Sequence, residues 1–183
     1  MGTWKKGVVG TLVTMVVALD IFTKSWAMTA LGDRRTIELL GGLVPLTLAF
    51  NRGAAFGLRI GSNPRWVFIP VTLVAVAFLL VLIRQTSRGE HLRLVAASLI
   101  LGGALGNLYD RLRWDRGVVD FIGPIDLGFM LWPIFNAADS AITTGALLLA
   151  LTFWLDDSNP QRRVATVGRA EGAPMDGGPA QPG

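Results

Sequence analysis

The sequence predicts a membrane all-α fold: a four-transmembrane-helix bundle with a small β-rich loop region on its outer side. Three observations carry that expectation. Hydrophobic residues make up 51% of the 183-residue chain and charged residues only 16%, with a mean hydropathy of +0.49, a profile far from that of an ordinary soluble domain. Four mostly apolar runs approach the roughly 20 residues that cross a hydrocarbon core as a helix. The ionisable residues in and beside those runs cluster at particular ends of them.

The first run covers about residues 7–29. Lys5 and Lys6 before it, with small residues near Ala27 and Ala30, would also fit a cleaved secretory signal. Asp20 and Lys24 argue for a retained helix, because they lie four residues apart, on one helical face, in its second half. Residues 30–64 form a long loop whose "TIELLGGLVPLTLAF" is rich in strand formers and punctuated by glycine. Its apolarity places it on the membrane surface or over the helices. A plain structureless connection of that length would be uncommon. The second run, 66–83, reads "WVFIPVTLVAVAFLLVLI" and is interrupted only by Pro70 and Thr72. The third covers about 92–109 and the fourth about 136–155. From residue 156 onward Pro, Gly and charge dominate, a composition that cannot bury enough surface to order itself. The expected division is a transmembrane domain, 1–155, and a disordered tail, 156–183.

Four spans return both termini to one side, and Lys/Arg asymmetry decides which. Eight basic residues fall on each side: Lys5, Lys6, Arg84, Arg88, Arg93, Arg162, Arg163 and Arg169 against Arg34, Arg35, Arg52, Arg59, Arg65, Arg111, Arg113 and Arg116. Density breaks the tie, since Arg84, Arg88 and Arg93 crowd a very short connection. Both termini are therefore expected in the cytoplasm.

Successive spans reverse direction, so the end of the first, the start of the second, the end of the third and the start of the fourth share one face. Asp20, Lys24, Asn107, Asp110, Arg111, Asn136 and Asp139 all lie at such ends, and Asn51, Arg52, Gly53 and Asp120 lie in the loops between them. Ionisable groups at membrane depth are expensive and mark function by default.

Much chemistry is excluded. The chain has no Cys, which removes thiol nucleophiles, disulfides and thiolate metal sites. Its one His, His91, falls in the connection at the opposite face, so a Ser-His-Asp arrangement lacks a base on the correct side. Ser140 points about 100° around the helix from Asp139, and a Ser-Lys pair with Lys24 has little support. No HExxH, phosphate-binding glycine loop or basic-aromatic nucleic-acid stripe occurs. The pI near 10.3 follows from topology charges and the tail.

Carboxylates remain. Two acids held a few ångströms apart share a proton, one then acting as base toward water and the other as acid toward a carbonyl. Asp120 and Asp139 are the candidates, because a loop entering the fourth span can fold back to join them. Two other readings stay open. Asp120 could be a solvated loop acid and Asp139 a helix N-terminal acid favoured by the dipole, or the acids could form the relay of a small proton-coupled transporter or channel.

Four motifs, "FNRGAAFGL" (50–58), "GGALGNLYDRL" (102–112), "VVDFI" (118–122) and "FNAADSAI" (135–142), in that order across four spans, resemble bacterial lipoprotein signal peptidase, signal peptidase II. The resemblance covers about residues 8–155. It implies an intramembrane aspartic peptidase of the bacterial inner membrane, with its active site near the periplasmic face. Its substrates would be diacylglyceryl-modified prolipoproteins, cleaved just before the lipidated cysteine. It implies catalytic roles for Asp120 and Asp139, and supporting roles for Asp20, Lys24, Asn51, Arg52, Gly53, Asn107, Asp110, Arg111 and Asn136. No metal, organic cofactor or nucleic acid is implied; the partners are the substrate and membrane lipid, and the protein is expected to act as a monomer. Asn136, three residues before Asp139, shares its face and can orient the acids or bind substrate backbone. Arg111 is expected either to pair with Asp110 or Asp20 for structure or to serve catalysis, Asn51 to contact substrate, and Gly53 to let its loop turn closely. Three features depart from the family's pattern: Ile21 where a polar residue is usual, Tyr109 in place of an aliphatic one, and one extra residue in "LRWDRG".

Overall fold

A computed structural model describes residues 2–53 and 64–157. Residues 54–63 of the loop after the first span, with Arg59, and the expected tail beyond Asp157 lie outside the described residues. Residues 1–149 form one compact unit. Four helices are long and apolar enough to cross a membrane: α1 (Thr3–Ala30), α2 (Arg65–Gln85), α3 (His91–Arg113) and α4 (Ala137–Asp157). Each expected span is present, with shifted ends. α1 begins four residues early and takes in Lys5, and α3 runs four residues further, to Arg113. Apolarity alone set the expected limits, whereas backbone hydrogen bonding continues into flanking charged turns. Outward side chains such as Phe22, Val74 and Leu147 are two-thirds exposed or more, as lipid-facing surface requires.

α3 is the central helix, with most of its length buried. Its glycines permit this. A Cβ on Gly102 would meet Val16 Cβ at 2.8 Å, and one on Gly103 would collide with the Ala138 carbonyl. Small residues at such crossings let helices approach closely in a bilayer. The contacts also fix directions. Gly102 lies by Val16 and Gly106 by Asp20, so α1 and α3 run parallel; Gly103 lies by Ala138 and Gly145 by Ala96, so α4 runs antiparallel to α3. At one end of the bundle Leu79, Ile83, Leu94, Ala97 and Leu101 form an aliphatic core.

The loop after α1 forms strands β1 (Thr36–Leu39) and β2 (Val44–Asn51), joined through a short 3₁₀ turn, Leu40–Gly42. The expected β character is therefore present. A third strand, β3 (Val118–Ile122), comes from the α3–α4 connection and completes an antiparallel sheet in the order β1-β2-β3. Its register pairs Ala49 with Asp120 and Asn51 with Val118. Beyond Ile122, whose backbone pairs with Phe135, the chain makes a small hairpin, β4 (Ile125–Asp126) and β5 (Leu131–Trp132). The sheet thereby carries Asp120 to the end of the bundle where α4 begins.

Candidate active site

The N-terminus of α4 is built around Asn136 and Asp139. Asn136 Oδ1 accepts the Asp139 main-chain N–H at 2.9 Å, while Asp139 Oδ2 accepts the Asn136 N–H at 3.2 Å. This is a reciprocal capping box, which satisfies two of the donors every helix start leaves open. The capping role considered for Asp139 from sequence is thus present, and it uses only one carboxylate oxygen. The other, Oδ1, accepts Asn107 Nδ2 at 2.8 Å.

Asn136 also reaches the second acid. Its side-chain amide donates to Asp120 Oδ1 at 2.6 Å and to the Val119 carbonyl at 3.2 Å. One residue therefore holds Asp120 and Asp139 at once. Asp120 is 2% exposed. Burial, reinforced by the neighbouring Asp139 charge, pushes its carboxyl up to about 7, against the opposing hydrogen bonds of Asn51 and Asn136. Asp139 is only partly buried, so it lies on the open side of the pair.

Behind the acids lies a buried ion cluster. Lys24 Nζ is 2.7 Å from Asp20 Oδ2, 2.9 Å from Asp110 Oδ2 and 3.0 Å from Asn107 Oδ1. The ammonium thereby dictates how Asn107 sits. Its oxygen faces Lys24 and the Asn136 amide, leaving its NH₂ for Asp139. The two carboxylates in turn hold backbone: Asp20 Oδ1 accepts Ala138 N–H at 3.0 Å, and Asp110 Oδ2 accepts Val119 N–H at 3.1 Å. The cluster thus fixes the residue before each acid.

Seven of the expected residues, Asp20, Lys24, Asn107, Asp110, Asp120, Asn136 and Asp139, form one connected network. Asn51 joins it through Asp120, and its Oδ1 accepts the Gly53 N–H at 2.9 Å. Gly53 has φ +107°, and any Cβ there would collide with the Phe68 ring, so close passage of the loop does require glycine. Arg52 and Arg111 stand at the edge, lining a small open cleft with Asn51, Pro64, Arg65, Asp115 and Gly117.

The pairing expected for Arg111 is not formed. Lys24 takes both Asp20 and Asp110, while Arg111 donates to the Asn107 carbonyl at 3.3 Å and lies 5.2 Å over the Phe68 ring. Arg111 follows Asp110 directly, so it projects about 100° around α3 from the Lys24 cluster. The Ser-Lys idea also fails, because Ser140 Oγ donates to the Asn136 carbonyl at 3.1 Å. His91 opens α3 at the far end, 5.2 Å from the Trp4 ring. Among the described residues no group of three His, Cys, Asp or Glu is arranged to hold a metal ion.

Sequence reasoning missed Gly106 and Gly117. A Cβ on Gly106 would come within 2.6 Å of Asp20 Oδ2, and one on Gly117 would strike the Asn51 carbonyl. Both leave room for site residues to approach. The sequence signal for this helix start is Asn136, a residue type favoured at the N-cap, before an apolar run.

A family model described as signal peptidase (SPase) II matches residues 12–155. The lipoprotein signal peptidase of Halothermothrix orenii is 41% identical over 143 residues, covering 78% of this chain and 92% of that protein. That of Pseudomonas aeruginosa strain UCBPP-PA14 is 40% identical over 142 residues, covering 76% and 83%. A bacterial membrane enzyme solved by the in meso method at 2.3 Å superposes with a TM-score of 0.72 at 29% identity, covering 84% of this chain and 92% of its own.

Proposed function

Because the chain belongs to the signal peptidase II family, we propose that it is an aspartic endopeptidase of the bacterial inner membrane that frees lipid-modified prolipoproteins of their signal peptides. The observation that carries the catalytic type is Asn136, whose amide and main-chain N–H hold Asp120 and Asp139 together. The scissile bond is the one preceding the lipidated cysteine, and the acyl chains lie in lipid while the peptide crosses the polar end of the bundle.

In the proposed reaction Asp120 keeps the shared proton, because its carboxyl titrates near 7. Asp139 takes a proton from a water molecule on the open side, and the hydroxide adds to the scissile carbonyl carbon as Asp120 gives its proton to the carbonyl oxygen. Collapse of the tetrahedral intermediate breaks the C–N bond. The leaving amine takes the proton held by Asp139, and a gem-diol proton returns to Asp120. The Lys24 cluster takes no part in proton transfer; it holds Asn107, Val119 and Ala138 in place. Residues 1–155 form the catalytic domain, working as a monomer with both termini cytoplasmic, the acids near the periplasmic face and the tail outside the reaction. A transporter is disfavoured, since the end of the bundle away from the acids is packed with aliphatic side chains.

Asp120→Asn and Asp139→Asn should each cut cleavage of a lipidated precursor in detergent by roughly 10³-fold or more, with the unfolding temperature in detergent preserved. Near-normal turnover by either variant removes the acid pair from the mechanism.

A further inference from the structure

The outer side of this protein is as basic as the inner, an unusual balance for a membrane protein. Part of that charge is organised in a ladder that the peptidase site does not use. Arg116 Cζ lies 5.5 Å over the Phe50 ring, and Phe50 meets Trp114 edge-on at 6.5 Å. Arg113 Cζ lies 4.6 Å over Trp114 and 5.7 Å over Tyr109. Trp114 is fixed by its Nε1–H, which donates to the Gly117 carbonyl at 2.8 Å. Two cations and three rings thus form one stacked series from the end of β2 to the last turn of α3.

Phe50 sits between Ala49, the partner of Asp120, and Asn51 in β2. Alternation along a strand therefore turns it to the sheet face opposite the acids. The ladder stands where a spanning helix ends, at the depth of lipid headgroups, with Leu112 62% exposed and Tyr109 42% exposed beside it. Arg113 and Arg116 are exposed. Each guanidinium lies over an aromatic ring, and neither makes an ion pair among the described residues. The intervening acid, Asp115, is held by Arg65. Two planar donor groups with free edges suit a phosphodiester, to which guanidinium binds in bidentate fashion.

We propose that this ladder is a binding site for the headgroup phosphate of an anionic glycerophospholipid, whose acyl chains lie along α3 beside Leu112 and Tyr109. The exposed apolar neighbours and the membrane depth favour a lipid over a dissolved anion. The proposal requires only that α3 ends at a bilayer surface, and does not depend on the identity of the catalytic acids.

The test is native mass spectrometry of the full chain in detergent, titrated with dioleoylphosphatidylglycerol or dioleoylphosphatidylcholine. Phosphatidylglycerol should bind in preference, and the Arg113→Gln/Arg116→Gln variant should bind it about tenfold more weakly. Arg34→Gln/Arg35→Gln, which removes two exposed arginines outside the ladder, should bind as wild type does, and millimolar inorganic phosphate should not compete. Equal binding of the two lipids, equal loss in both double variants, or displacement by inorganic phosphate would each overturn the proposal. Cleavage of a lipidated precursor in detergent without added phospholipid should persist in the ladder variant, which separates failure of this site from failure of the peptidase reading.

Discussion

Lys5 and Lys24 are both buried in α1, at 7% and 3% exposure, and they solve the same problem in opposite ways. Lys5, at the aliphatic end, turns its ammonium to backbone: it donates to the Ile83 and Arg84 carbonyls at 3.4 Å and to that of Thr86. These are acceptors that the end of α2 leaves open, where a cation also meets the negative pole of the helix dipole. Lys24, at the other end, turns to two carboxylates and an amide. A lysine satisfied by carbonyls closes a helix. One satisfied by carboxylates ties α1 to α3, reaches β3 and α4 through Asp110 and Asp20, and sets the orientation of Asn107, from which Asp139 takes a hydrogen bond.

The comparison breaks most severely at Lys24. Lys24→Met would leave Asp20 and Asp110 as buried acids without a counter-charge, a loss of about 3–5 kcal/mol, and little folded protein should accumulate. Adding Asp20→Asn and Asp110→Asn should restore the yield, because the uncompensated charge is then gone. Cleavage should remain depressed, because the Asn107 oxygen then loses its ammonium partner and is held away from Asp139 by the Asn136 amide alone. Recovery of full activity in the triple variant would show that the cluster serves stability alone.

Lys5→Met sharpens the contrast with a smaller effect. The carbonyls it caps lose a charged donor, which costs roughly 1.5–3 kcal/mol for a hydrogen bond to a charged group and should lower the unfolding temperature in detergent. Turnover per folded molecule should match wild type, since Lys5 and the carbonyls it caps lie at the aliphatic end of the bundle, away from the acids. A drop in turnover with unchanged stability would contradict the division of labour between the two lysines.

The sequence made one lysine far more legible than the other. Spacing at i and i+4 placed Asp20 and Lys24 on one face, and the alternation of spans brought Asn107, Asp110, Asn136 and Asp139 to the same end; both follow from helix geometry and hydropathy. Lys5 lies just outside the apolar run, where sequence alone reads it as a topology charge or the basic flank of a signal segment. Tertiary partners were the limit elsewhere. Arg111 follows Asp110 in sequence but points about 100° away on the helix, toward Phe68, which the chain brings in from α2. The strand Val118–Ile122 was hidden because its neighbour in the sheet, β2, lies some 70 residues earlier, although its β-branched and aromatic residues suit a strand. Gly106 is visible as a glycine, but its reason, the Asp20 oxygen that a Cβ would strike, belongs to another helix.

The smallest expected effect concerns the proton at the polar end. Burial and the Asp139 charge raise Asp120, while Asn51 and Asn136 hold it down by hydrogen bonding its ionised form. Asn51→Ala removes one of these restraints without touching the Lys24 cluster, so the Asp120 carboxyl should rise further. A group with a raised value keeps its proton below that value and loses it above. If Asp120 must be protonated for turnover, the alkaline limb of the kcat profile therefore moves to higher pH than in the wild type. One hydrogen bond is worth about 1 kcal/mol, or somewhat under one pH unit. Measuring kcat at saturating substrate excludes any weaker binding caused by loss of a substrate contact at Asn51. A limb that stays in place or moves to lower pH would mean that the proton governing turnover is not the one on Asp120, and the acid and base roles of Asp120 and Asp139 would then have to be exchanged.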